Sequence, residues 1–182
     1  KFLTLEDFVE ISTPKIVSSG TEGGSALFSV DYFGEKAYLA QSPQLYKQMM
    51  VGVFERVFEV SHVFRAEKHE TARHLNEYTS MDFEIGFIDD EREIMDLEET
   101  LLRQMFFEVA DTCSGEVERI NVEIPVVMNI PKISFESVKQ IINERYKKKL
   151  GGALDLNPEA ERLISQYVKE EFNSDFLFVT HF

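Results

Sequence analysis

The chain has 182 residues, 43% of them apolar, with sixteen Phe, no Trp and a formal net charge of −14. That length makes one domain the default, and the apolar content is enough for a core. The charge argues against a surface dominated by nucleic-acid or anionic-membrane binding, while leaving room for a local basic cluster that holds a phosphate. Cys113 is the only cysteine, which excludes an internal disulfide framework and a Cys-rich metal site. No apolar run reaches the roughly 18 residues that a membrane span needs. No signal peptide is visible, but the first residue is Lys1, so an excised or processed piece of a cytoplasmic protein is expected.

In chain order, Lys1 to Phe8 reads as the end of a helix. Phe8 to Ile11 reads as a short strand, which Thr13-Pro14 interrupts because proline has no ladder donor. Ser18 to Ser25, SSGTEGGS, is a loop by composition. Lys36 to Ala40 reads as a strand. Pro43 opens a helix to about Val53, with Leu45, Met49 and Val53 on one stripe. Two alternating runs follow. In Phe58 to Glu67, Phe58, Val60 and Phe64 share one face, and Glu59, Ser61, Arg65 and Glu67 the other. In Glu77 to Ile88, Met81, Phe83, Ile85 and Phe87 oppose Tyr78, Ser80, Asp82 and Glu84. A period of two predicts an antiparallel pair with one packed apolar face and one chemically loaded face. Arg, Glu, Asp and an aromatic on that face, beside a basic loop, suit an anionic, ring-bearing ligand such as a nucleotide.

Asp89-Asp90 caps a long amphipathic helix to about Ala110, with Ile94, Leu97, Leu101 and Met105 inward. Residues 111–133, with Pro125 and Pro131, read as irregular. Phe135 to Tyr146 and Pro158 to Glu171 are predicted helices, and Asp175 to Thr180, DFLFVT, a buried strand. There is no internal repeat. The fold class expected is α/β, an antiparallel sheet flanked by helices.

Four ordered segments point to one family. FRAEKHETARHLNEYTSMDFEIGFI resembles motif 2 of class II aminoacyl-tRNA synthetases, over about residues 57–88. AQSPQLYKQMM, residues 40–50, resembles the amino-acid-binding segment of the aspartyl-tRNA synthetases. FVEISTPKI, residues 8–16, is similar to motif 1, whose proline lies at a dimer interface. SSGTEGGSALF, residues 18–28, resembles the loop that closes over the amino acid. The likeness runs through DFLFVTHF and is weakest over residues 111–170. It suits the archaeal-type branch shared with eukaryotic cytosolic enzymes. A motif 3, the acidic Mg-binding segment before it and an N-terminal anticodon-binding barrel have no counterpart here, so residues 1–182 are expected to be the first part of a catalytic domain.

The resemblance implies ATP-dependent ligation of L-aspartate to tRNA(Asp) through an aspartyl-adenylate, with Mg²⁺ on the phosphates and no metal ligand in this chain. It leaves open whether tRNA(Asn) is also charged. It implies a homodimer with Phe8, Val9, Ile11 and Pro14 at or near the two-fold interface, and no membrane partner. Arg65 would be the catalytic residue, holding the ATP α-phosphate and the aspartate α-carboxylate; alone it would read as an exposed strand-end arginine. Glu67 would accept from the adenine side, Tyr78 would stack on the ring, and Arg73 and His74 with the Leu75 backbone would meet the distal phosphates. Lys47 would meet the aspartate side chain, Asp82 would orient Lys47 and help bind the substrate ammonium, and Glu22 and Gln44 would complete recognition, with Ser42 in support. Glu84 faces the site without an assigned role. His69 and His74 lack a third ligand, which rejects a metal pair, and nothing supports sugar chemistry for the Glu residues. The rivals are an asparaginyl-tRNA synthetase, an asparagine synthetase paralogue using the same adenylate chemistry, and a dimerising regulatory paralogue with a dead site.

Overall fold

The computed structural model describes residues 1–20, 27–66, 75–149 and 154–182. The chain divides into two compact units, Lys1–Asp89 and Asp90–Phe182.

The first unit holds α1 (Phe2–Leu5), β1 (Val9–Glu10), β2 (Ile16–Val17), β3 (Ser29–Tyr32), β4 (Glu35–Leu39), α2 (Gln44–Phe54), β5 (Arg56–Phe64) and β6 (Glu77–Ile85). The short strands β2 and β3 have too few residues for alternation to reveal them, and they exist because β4 pairs with both. The main sheet runs β1-β5-β6, with β1 parallel and β6 antiparallel to β5. The long antiparallel ladder is the one the alternation predicts. Its register sets Phe58 against Phe83 and Val60 against Met81 on one face, and Glu59 against Asp82 and Val63 against Tyr78 on the other.

Both faces are packed, and the loaded one more than expected. On the apolar face Phe58 is buried while Val60 and Met81 are 49% and 41% exposed; on the loaded face Val57, Glu59 and Val63 are buried. The cause is α2, which lies against β5 and β6. Gly86 permits the approach, because a Cβ there would sit 2.5 Å from Val51 Cγ1. The stripe of Leu45, Met49 and Val53 faces outward, and the buried side chain of α2 is Lys47. Phe8 is buried in this unit, edge-on to Phe83 at 5.9 Å between ring centroids. Val9, Pro14 and Ile16 stay exposed.

The second unit holds α3 (Arg92–Thr112), α4 (Ser114–Ile120), β7 (Lys132–Ser134), α5 (Phe135–Tyr146), α6 (Pro158–Phe172) and β8 (Phe178–Thr180). The stretch expected to be irregular therefore contains α4 and the start of β7. On α3 the buried residues are Met95 and Leu101, while Met105 is exposed. The N-cap of α3 is Glu91 and not the expected Asp89-Asp90 pair; Asp90, one residue earlier, accepts at Oδ1 from Arg92 N at 2.8 Å. The helix α5 begins where Ser134 Oγ accepts from Ser137 N, and α6 where Asn157 Oδ1 accepts from Ala160 N, with Pro158 in the first turn. These two helices bury Val138, Ile142, Ala160, Leu163, Ile164 and Val168 together. The terminal strand is shorter than expected and half-buried, and it pairs parallel with β7.

Candidate active site

One backbone junction organises the first unit. Ala40 N donates to Lys15 O at 2.9 Å, and Ala40 O accepts from Phe64 N at 2.9 Å. The residue after β4 thus stitches the segment after β1 to the end of β5. It roots Gln41, Ser42 and Pro43, all buried, beside the start of Arg65. Arg65 is half-buried, and its backbone N donates to Asn76 O at 2.9 Å, which extends the ladder one step past β5.

From this root α2 starts. Ser42 Oγ accepts from Gln44 N at 3.2 Å and Pro43 O accepts from Lys47 N at 2.9 Å, so the turn is closed before the helix begins. Gln44 is half-buried at the first helical position. One turn on, Lys47 lies over the loaded face of β6. Its Nζ donates to Asp82 Oδ1 at 3.1 Å and sits 3.5 Å from Glu84 Oε2. Asp82 Oδ2 also accepts from Ser80 Oγ at 2.7 Å. Two carboxylates on one strand thus hold the buried Lys47 ammonium at a fixed aim. Glu84, which faces the site without a role in the sequence, thereby gains a partner in Lys47.

Further along the same face Glu59 is 4% exposed. Its Oε1 accepts from Thr13 N at 2.9 Å and from Lys15 Nζ at 2.9 Å, and its Oε2 from Thr13 Oγ1 at 2.7 Å. Burial pushes this carboxyl up, but the hydrogen bonds from Thr13 and Lys15 outweigh burial and hold it below its ordinary range. Thr13 and Lys15 were not singled out from sequence.

Of the other expected site residues, Tyr78 is half-buried on the loaded face opposite Val63, and Leu75 is 64% exposed. Glu22, Glu67, Arg73 and His74 lie outside the described residues. Among the described residues no three His, Cys, Asp or Glu side chains converge as a metal site, and no helix is long and apolar enough to cross a membrane. A cleft of about 650 Å³ in the second unit, lined by residues such as Val126, Phe172 and Asp175, carries no comparable convergence of charge.

Residues 1–182 match the family model of class II tRNA synthetases (D, K and N) from end to end. The chain belongs to that family. An aspartate–tRNA(Asp/Asn) ligase of Deinococcus radiodurans is 56% identical over 178 residues, covering 97% of this chain and 41% of that protein. The aspartyl-tRNA synthetase structure of Entamoeba histolytica superposes with a TM-score of 0.81 at 31% identity, over 98% of this chain and 34% of that one. An asparaginyl-tRNA synthetase of Pyrococcus horikoshii, solved with asparaginyl-adenylate, superposes with a TM-score of 0.83 at 29% identity, over 91% of this chain and 39% of that one. The chain spans well under half the length of these synthetases, and its strands and helices are those of their catalytic fold.

Proposed function

We propose that the protein carrying this chain joins L-aspartate to tRNA(Asp) in two steps, and that residues 1–182 are part of its catalytic domain. Aspartate and ATP give aspartyl-adenylate and pyrophosphate, and a terminal ribose hydroxyl of tRNA then attacks the adenylate. The observation that carries this reading is the Lys47 ammonium, buried and held by Asp82 at 3.1 Å. A fixed cation at this depth suits a substrate whose side chain is a carboxylate. The same carboxylates that hold Lys47 suit the substrate ammonium.

Arg65 is the catalytic residue in this reading. Attack of the aspartate α-carboxylate on the α-phosphorus gathers charge on the equatorial oxygens, which a guanidinium fork stabilises through two bonds. Tyr78 stacks on adenine, Glu67 accepts from its edge, and Arg73, His74 and the Leu75 backbone meet the distal phosphates. Glu22, Ser42 and Gln44 complete the aspartate contacts. Mg²⁺ belongs with the ATP phosphates, and no described residue is given a role toward it. Positioning and electrostatics supply the rate, with little acid–base chemistry required of the protein. A cytoplasmic homodimer with Pro14 at the interface completes the proposal. The Deinococcus relative is named for both tRNA(Asp) and tRNA(Asn), which favours charging of both here.

The likeness to an asparaginyl-tRNA synthetase in complex with its adenylate keeps asparagine as the second reading. Pyrophosphate exchange by the protein expressed from its full open reading frame separates the two. Exchange that depends on aspartate and not asparagine is expected; the reverse would replace this proposal with the asparagine reading.

A further inference from the structure

Glu59 and Asp82 stand directly opposite one another in the β5–β6 ladder. Side chains so placed lie roughly 5 Å apart at Cβ, and like charges there repel. The structure gives each carboxylate its own cation, Lys15 for Glu59 at 2.9 Å and Lys47 for Asp82 at 3.1 Å. Lys47 also has Glu84 at 3.5 Å, so the described part of this cluster holds two lysines and three carboxylates and is negative by one charge. An acidic amino acid must enter a place that already leans the wrong way. Among the described residues Arg65 brings one more positive charge, at the far end of the face.

We propose that Lys15 is a specificity-determining positioning residue, which neutralises Glu59 so that Lys47 stays available to the carboxylate side chain of the substrate. Lys15 touches no substrate in this scheme. It acts through Glu59, which is too buried to be screened by water. Without Lys15, Glu59 becomes an unpaired carboxylate facing Asp82. It then competes for the Lys47 ammonium and repels an incoming anion. Thr13 serves the arrangement by fixing both Glu59 oxygens, and Thr13 Oγ1 accepts a bond from Lys15 Nζ at 3.1 Å. The inference rests on the reading that aspartate binds beside Lys47.

The test is pyrophosphate exchange with the whole protein, with aspartate and ATP varied separately. Parent protein lacking aspartate-dependent exchange would overturn the reading of the site and this inference with it. Given parent exchange, Lys15→Met is expected to raise the aspartate KM about tenfold, the scale of one unpaired charge at close range in a half-buried site, and to leave the ATP KM within about twofold. Adding Glu59→Gln to Lys15→Met should bring the aspartate KM back to within about threefold of the parent, because the amide carries no charge and still accepts from Thr13. Glu59→Gln alone should lower the aspartate KM, and it serves as the deciding variant if Lys15→Met does not fold. A purely structural role makes the double variant as poor as Lys15→Met, or raises both substrates' KM together, or makes Glu59→Gln worse than the parent. Any of those results overturns the inference and leaves the aspartate reading standing.

Discussion

The two units differ in whether polar side chains join the buried apolar ones. Among the described residues, the buried polar side chains are Gln41, Ser42, Lys47 and Glu59, all within one short stretch of the first unit. The second unit encloses a cluster of valine, isoleucine, leucine and alanine between α5 and α6, and its ion pairs lie outside, as in Arg145 with Glu170 and Glu171. Burying an aliphatic side chain contributes roughly 1.5–3 kcal/mol. Burying an ion pair contributes little and often costs stability. A chain that keeps Lys47 and Glu59 inside is therefore giving up stability at one place. On the proposed reading, the chemistry falls in the first unit and the second serves as scaffold.

If that division is right, mutations should separate cleanly into effects on catalysis and effects on stability. The largest effect is expected for Arg65→Ala. Loss of a charged contact to the transition state costs about 3–4 kcal/mol, so adenylate formation should fall at least about a hundredfold with the unfolding midpoint little changed. Near-parental exchange rates would remove Arg65 from the chemistry and break the comparison at its centre. Lys47→Met comes next. It should cut kcat/KM for aspartate by about a hundredfold, with the ATP KM nearly unmoved, because the methionine fills the space and removes only the cation. An unchanged aspartate KM and rate would place the amino acid elsewhere.

How far the sequence revealed this division depended on length and on partners. The β5–β6 ladder was legible because alternation persisted over nine residues in each strand. The helix α5 was legible because Ser134 caps it and its apolar residues recur at helical spacing. β2 and β3 were not, since two- and four-residue strands are set by the strand they join. The orientation of α2 was not legible in its own residues: Leu45, Met49 and Val53 form an apolar stripe, yet they face outward, and the close approach of Val51 to Gly86 goes with Lys47 turned inward. On composition alone Lys47 was a solvated lysine, so its site role came from the family resemblance. The Lys15–Glu59 pair was invisible because its members lie 44 positions apart in the sequence.

The second unit supplies the contrasting test. Ile142 is fully buried in the α5–α6 cluster. Ile142→Val removes one methylene there and should cost about 1 kcal/mol of stability, read from denaturant unfolding. Its aspartate and ATP KM values should match the parent's. A selective change in the aspartate KM would show that the aliphatic cluster is not merely scaffold.

The smallest effect distinguishes a surface carboxylate from the buried one. Asp90 lies at the start of α3, where its oxygens accept from Arg92 Nε at 2.9 Å, from the second guanidinium nitrogen at 2.7 Å and from Arg92 N at 2.8 Å. The Arg92 side chain, and then its backbone N–H, lower the Asp90 carboxyl to about 2. A carboxyl lowered on folding stabilises the folded state above its unfolded value, near 3.8, and loses that contribution as pH falls toward 2. The thermal midpoint of Asp90→Ala should therefore lie slightly below the parent's at pH 7, by an amount constant down to about pH 5. Between pH 4 and about 2 the gap should close, as Asp90 takes up its proton in the parent. Taking the difference between two proteins removes the acid response they share, including that of Glu59, whose carboxyl is also lowered and moves stability in the same direction. A gap that persists undiminished to pH 2 would mean that Asp90 works as a neutral acceptor for Arg92, and that its charge contributes nothing to α3.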